Sequence, residues 1–155
     1  INTTLYTGRT IFDIVEETGH DWAFYYADAP LEMAMIEKLT FHPSKIKNWK
    51  HFKNDIASGS LPAFSWVNPR WFVNMSTLEG ANDQHPDHDF RLGEALMKEV
   101  YEELRASPKW NSTLYVVTSG GDGVCLCLAL LRWLDWMLGV PKTFDIAMGD
   151  CECFL

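Results

Sequence analysis

Two histidines and three aspartates crowd a single stretch of seven residues, Asp83-Gln84-His85-Pro86-Asp87-His88-Asp89. A neutral imidazole is a nitrogen ligand or a base, an imidazolium is a cation for phosphate, and carboxylates hold metals or protons. Pro86 biases His85 toward an extended backbone, which turns it away from the following helix and toward a cleft. Asp87 and Asp89 suit a helix cap equally well, and His88 an exposed first turn. The two histidines stand three apart with Phe90 beyond them, which does not meet an H-x-H-x-D-H metallo-hydrolase pattern. H-E-x-x-H, G-x-S-x-G and G-x-x-x-x-G-K motifs are absent as well.

Two other groups could carry chemistry. In Ser119-Gly120-Gly121-Asp122-Gly123 the glycines would let backbone amides approach an anion and Asp122 could take a cation, although a plain loop explains the same residues. Cys125, Cys127, Cys151 and Cys153 form two C-x-C pairs. Structural zinc sites favour two to four residues between paired cysteines, and no His lies close by, so free thiols are expected.

The composition bounds what these groups can serve. The 155 residues, 47% hydrophobic and 14% aromatic, make about one domain and are too apolar for intrinsic disorder. A net charge of -8 argues against nucleic acid or an anionic membrane surface as partner. Lys45, Lys47, Lys50 and Lys53 read as a solvated helix face. The apolar run at residues 124–131, interrupted soon after by Arg132 and Asp135, is too short for a transmembrane segment and reads as a buried helix. The chain opens on Ile1 with no signal-peptide pattern, so a cut or processed start is expected. N-x-[ST] sequons at Asn2, Asn74 and Asn111 hint at a secreted or membrane-peripheral setting.

The elements that must position the Asp/His stretch follow from capping and periodicity. Thr10 and Asp13 form a capping box for a helix over 11–18, stopped by Gly19. Residues 21–26 read as an aromatic strand and 31–39 as a helix. Ser44 caps a helix with Ile46, Trp49, Phe52 and Ile56 on one face, ending at Ser58-Gly59. A strand at 61–67 precedes a long loop at 68–89, a length that is usually functional or disordered. Gly93, Leu96, Val100 and Leu104 then mark one face of a helix ending at Ser107-Pro108, and 114–118 reads as a central buried strand. This alternation implies an α/β fold, a partly parallel sheet with flanking helices, whose ligands sit outside the carboxyl ends of the strands. Residues 1–123 form the α/β segment and 124–155 a divergent, Cys-containing hydrophobic tail.

Several separated motifs also recur in one order: Gly8-Arg9-Thr10-Ile11-Phe12-Asp13, Tyr25-Tyr26, Gly59-Ser60-Leu61-Pro62, Pro69-Arg70-Trp71-Phe72, Asn82-Asp83-Gln84-His85-Pro86-Asp87-His88-Asp89 and Ser107-Pro108-Lys109-Trp110-Asn111. Over residues 8–118 the chain resembles the phosphoesterase family of non-specific phospholipases C and acid phosphatases, on an alkaline-phosphatase-like fold. The resemblance implies hydrolysis of a phospholipid or phosphomonoester with a divalent metal ion as cofactor, possible ligands for which are not all in this chain. It assigns phosphoryl contact to His85 and catalytic support to His88, with Asp83, Asp89 and Arg70 near the substrate. The family's early E-N-R-S-F-D motif and its nucleophile lie upstream of the region seen here. Its E-P-R reads Asn68-Pro69-Arg70, and its acidic pair after the last strand reads Gly120-Gly121. The chain is therefore expected to be one piece of a longer domain, either the middle segment of such a hydrolase or a catalytically inactive remnant that at most binds a phosphate-containing ligand.

Overall fold

Alternate residues of the first strand belong to two different cores, which fixes the layering of the molecule. In the computed structural model, which describes residues 5–86, 88–119 and 126–132, strand β1 (Trp22–Tyr26) sends Trp22 and Phe24 to one face and Ala23 and Tyr25 to the other. Strands β2 (Ile46–Asn48) and β3 (Phe64–Asn68) flank it in parallel, with Phe24 opposite both Ile46 and Trp66. Strand β4 (Thr113–Ser119) lies at the far edge, and β5 (Leu126–Arg132) sits between β3 and β4, antiparallel to each. The order is β2-β1-β3-β5-β4.

Helix α1 (Ile11–Glu17) covers the first face. Thr10 accepts from the Asp13 N–H, and the Asp13 carboxylate accepts from the Thr10 N–H at 2.8 Å, so two free helix donors are satisfied reciprocally. Gly19 follows in the left-handed region at φ 77° and turns the chain into β1. Phe12 and Val15 meet Trp22, Phe24 and Phe64 there, with Leu39 of α2 (Glu37–Thr40). Helices α3 (Trp49–Ser58) and α4 (Phe90–Ala106) cover the other face, where Phe52, Ile56, Leu96, Val100 and Leu104 pack on Ala23, Tyr25 and Val67. The α/β fold with a partly parallel sheet is thus as expected from sequence.

Four local expectations are corrected. The helix placed from Ser44 begins at Trp49, because Asn48 supplies the cap by accepting from the His51 N–H at 3.2 Å, and Ile46, counted on its apolar face, pairs with Phe24 as a strand residue. The helix at 31–39 is broken into a 3-10 turn, Leu31–Ala34, and α2, since extended Ile36 bridges to Tyr6 between them. The apolar run read as a buried helix is strand β5 in its described part. Its insertion in turn puts β4, expected at the centre, at the sheet edge with Leu114 and Val117 exposed. No helix among the described residues is long and apolar enough to cross a membrane. Asp87, the Gly120–Gly123 turn with Asp122, the Asn2 sequon and the side chains of all four cysteines lie outside the described residues.

Candidate functional site

The Asp/His stretch closes the long excursion from the carboxyl end of β3 to the start of α4. Its two ends are tied together: the Arg70 N–H donates to the Asn82 side-chain oxygen at 2.6 Å, and the Asn82 N–H returns a bond to the Arg70 carbonyl at 3.0 Å. The Arg70 guanidinium donates to the Gly80 carbonyl at 3.0 Å and pairs with Glu79 at 3.4 Å. Arg70, expected near the substrate, therefore has its charge engaged within the loop.

Beyond this tie the backbone reverses at Gln84, a non-glycine residue at φ 66°. Left-handed backbone is uncommon for such a residue, and here it is held by packing. Gln84 lies over Gly93 so closely that a Cβ on Gly93 would meet the Gln84 Cγ at 2.4 Å. The His88 N–H donates to the His85 carbonyl at 2.7 Å and completes the turn.

That turn directs Asp83 inward and brings both imidazoles to it. The Asp83 side chain is 1% exposed; one carboxylate oxygen meets His85 Nδ1 and the other meets His88 Nδ1 at 2.5 Å. An ionised carboxylate only accepts, so each Nδ1 is the donor toward Asp83 and each Nε2 is the nitrogen left for another partner. A hydrogen bond to the other ring nitrogen is what sets tautomer and orientation in functional histidines. The rings stand 6.0 Å apart, edge to face, and Trp71 packs against His85 at 5.6 Å. Both imidazoles remain partly exposed while the carboxylate between them is not.

Asp83, His85 and His88 also form a group whose donor atoms lie within 4.8 Å of one another, close enough to share a metal ion. One carboxylate and two imidazoles suit a divalent ion with nitrogen and oxygen ligands. In donor type the group fits. Asp89 is elsewhere: it caps α4 through the Arg91 N–H and pairs with the Arg91 guanidinium at 2.6 Å, and those bonds hold its carboxyl below the usual range. Of the five residues expected at the site, the structure unites Asp83, His85 and His88, and gives Arg70 and Asp89 to the loop and the helix start.

Two supporting interactions have no sequence signature. The Asp28 carboxylate accepts from the N–H groups of both Trp71 and Phe72 at 2.9 Å, fastening the base of the loop. At the carboxyl end of β3, the Asn68 amide donates to Glu32 at 2.5 Å and accepts from the Trp66 indole at 2.9 Å. Burial pushes the Glu32 carboxyl above its ordinary range, against the bond from Asn68.

Comparison with known proteins gives the relatives of the chain. Non-specific phospholipase C4 of Arabidopsis thaliana is 40% identical over 117 residues, 74% of this chain and 21% of that protein. Non-specific phospholipase C6 of the same plant is 39% identical over 126 residues, 76% of this chain and 23% of the relative. Non-specific phospholipase C5 is 38% identical over 117 residues. The chain spans about a fifth of the length of these curated relatives. With this similarity and a family match over residues 2–123, the chain belongs to the Phosphoesterase family.

Proposed function

We propose that this chain carries the phosphate-facing histidine wall of a phosphoester hydrolase that acts on phospholipid head groups or phosphomonoesters. The observation that supports it most is the buried Asp83 bridging His85 and His88. Held this way, His85 presents Nε2 to a phosphoryl oxygen: a neutral ring accepts a proton there, and a charged ring donates one and stabilises the negative charge. His88 does the same from the adjoining edge, and Asp83 orients both rings. Arg70 and Asp89 support the substrate indirectly, by closing the loop and capping α4. A divalent ion held instead by Asp83 and the two imidazoles would displace the bridging protons and supply Lewis acidity toward the phosphoryl group.

Turnover of p-nitrophenyl phosphate and phosphatidylcholine, with and without added divalent metal, tests this reading alongside His85→Ala. Loss of a positioned proton-transfer group costs about 100- to 10,000-fold, and a drop of that size is expected. Metal-dependent turnover that survives the substitution refutes the assignment. A second reading, a segment that binds phosphate without hydrolysing it, is favoured by Gly120 and Gly121 standing where the family carries its acidic pair. In that case turnover is absent, while phosphate still perturbs the ring resonances of His85 and His88 and Asp83→Asn abolishes the perturbation.

A further inference from the structure

Strands β3 and β4 are each antiparallel to β5, so they run parallel to one another on either side of it. Neighbouring strands lie about 4.8 Å apart, which makes the space between β3 and β4 a slot about 10 Å wide. Helix α4, the connection between the two strands, sets that spacing. Its buried face packs on the sheet through Leu96, Val100 and Leu104. The Tyr115 hydroxyl of β4 donates to the Met97 carbonyl at 3.3 Å, and the Ser107 hydroxyl, just past α4, donates to the Ile56 carbonyl of α3 at 2.9 Å. None of these contacts involves β5.

The slot and its occupant are also separable in sequence. Both flanking strands lie within the family match over residues 2–123, and β5 lies beyond it. Residues 126–132 pair with the whole of β4, and residues 128–131 pair on their other side with Phe64 to Val67. The sequence between Ser119 and Leu126 is Gly-Gly-Asp-Gly-Val-Cys, and glycine imposes little steric preference between turning back and running on. Fully extended, residues 120–125 reach about 20 Å, enough to carry a strand out of one slot and into that of a neighbour.

We infer that β5 is an exchangeable strand, and that the slot between β3 and β4 is an interaction site for the same strand of a second copy of this chain. Fit selects the partner. Residues 126–132 of another copy make the same backbone pairs in the same register, and their run Leu-Cys-Leu-Ala-Leu-Leu-Arg is too apolar to be left in water at no cost. Reciprocal exchange closes with two-fold symmetry and fills both slots. The closed and exchanged forms differ in the course of residues 120–125 and in the entropy of association, so concentration decides between them. The inference is independent of the phosphoester reading.

A disulfide placed across β4 and β5 tests it. Thr118 stands opposite Cys127 in the ladder, and opposed residues on neighbouring strands are within disulfide reach. Thr118→Cys is made in the full chain together with Cys125→Ser, Cys151→Ser and Cys153→Ser. In sedimentation equilibrium the reduced protein should rise with concentration from the mass of one chain toward twice that mass. Refolded and oxidised while concentrated, it should give a covalent dimer on a non-reducing gel. Refolded and oxidised while dilute, it should give a cross-linked monomer that stays monomeric when concentrated, because the bond holds β5 in its own slot. Adding Cys127→Ser should abolish the covalent dimer. Val116→Cys/Ala129→Cys, opposed in the same ladder, should repeat the pattern in a chain whose four natural cysteines are replaced by Ser. The mass of one chain at every concentration, a cross-linked monomer that associates as readily as the reduced protein, or a covalent dimer that survives Cys127→Ser overturns the proposal.

Discussion

At the scale of single residues, the buried carboxyl group at the carboxyl end of β3 controls more than it touches. Glu32 accepts from Asn68 with one oxygen, and its other oxygen is enclosed without a hydrogen-bond partner among the described residues. Burial raises its pKa above 4.5, and the nearby Asp28 charge adds to the effect, while the Asn68 bond opposes it. A carboxyl whose folded pKa lies above its unfolded one contributes stability below the unfolded value and loses it as pH rises through the folded value. Glu32→Gln keeps the shape and removes the ionisation. The variant is therefore expected to match the natural chain in urea unfolding near pH 4 and to exceed it in stability near pH 7. The opposite sign at neutral pH would mean that Glu32 is held there as a stabilised anion.

The Asp83, His85 and His88 group was legible from sequence because all three residues fall within six positions and share one turn. The clamp from Asp28 to Trp71 spans 43 residues and the bond from Asn68 to Glu32 spans 36. Only the parallel pairing of β1 with β3, which brings Tyr26 beside Asn68, places these groups together.

Among the elements, α4 carries the greatest share of positioning. Its buried face, Leu96, Val100 and Leu104, anchors it to the sheet, its first turn receives Gln84 over Gly93 and sets Leu92 against Gly80, and its cap is Asp89. Asp89→Ala removes the acceptor for the Arg91 N–H and should lower the midpoint of a denaturant titration. Because the Asp83 turn leans on the same first turn of α4, a broadening of the His88 ring resonances should accompany that loss. Unchanged stability would show that Arg91 and water satisfy the helix start unaided. The periodicity of α4 was plain because one face is apolar and the other carries Glu94, Glu99, Glu102 and Glu103. Residues 124–131 offered no period, and a continuous apolar run suits a buried helix or a buried strand equally. Its pairing between two neighbours decided the outcome.

In the molecule as a whole, two sheet faces are covered by helices, yet the sheet is held together across β5. Strand β4 makes its sheet bonds through β5, as does the outer side of β3. A chain ending at residue 123 should therefore lose the cooperative unfolding transition of the longer chain and expose the β3 edge to self-association. Calorimetry of the two forms compares them directly, and an equally sharp transition in the shorter one would show that β4 can pair with β3 itself. The sequence marks a composition change near this point, and the fold brings part of the later segment inside the sheet.

That placement sets an order of events during synthesis. The parallel trio of β2, β1 and β3 is complete once residue 68 has emerged, and β4 is present by residue 119, but the strand that joins them is not made until residue 132. During that interval the outer edge of β3 and both edges of β4 stand open in the nascent chain. Chains that pair strands late fold slowly and are exposed to aggregation meanwhile. The yield of native protein should therefore depend on how fast the ribosome passes from residue 119 to residue 132, and on which chaperones meet the chain before it does.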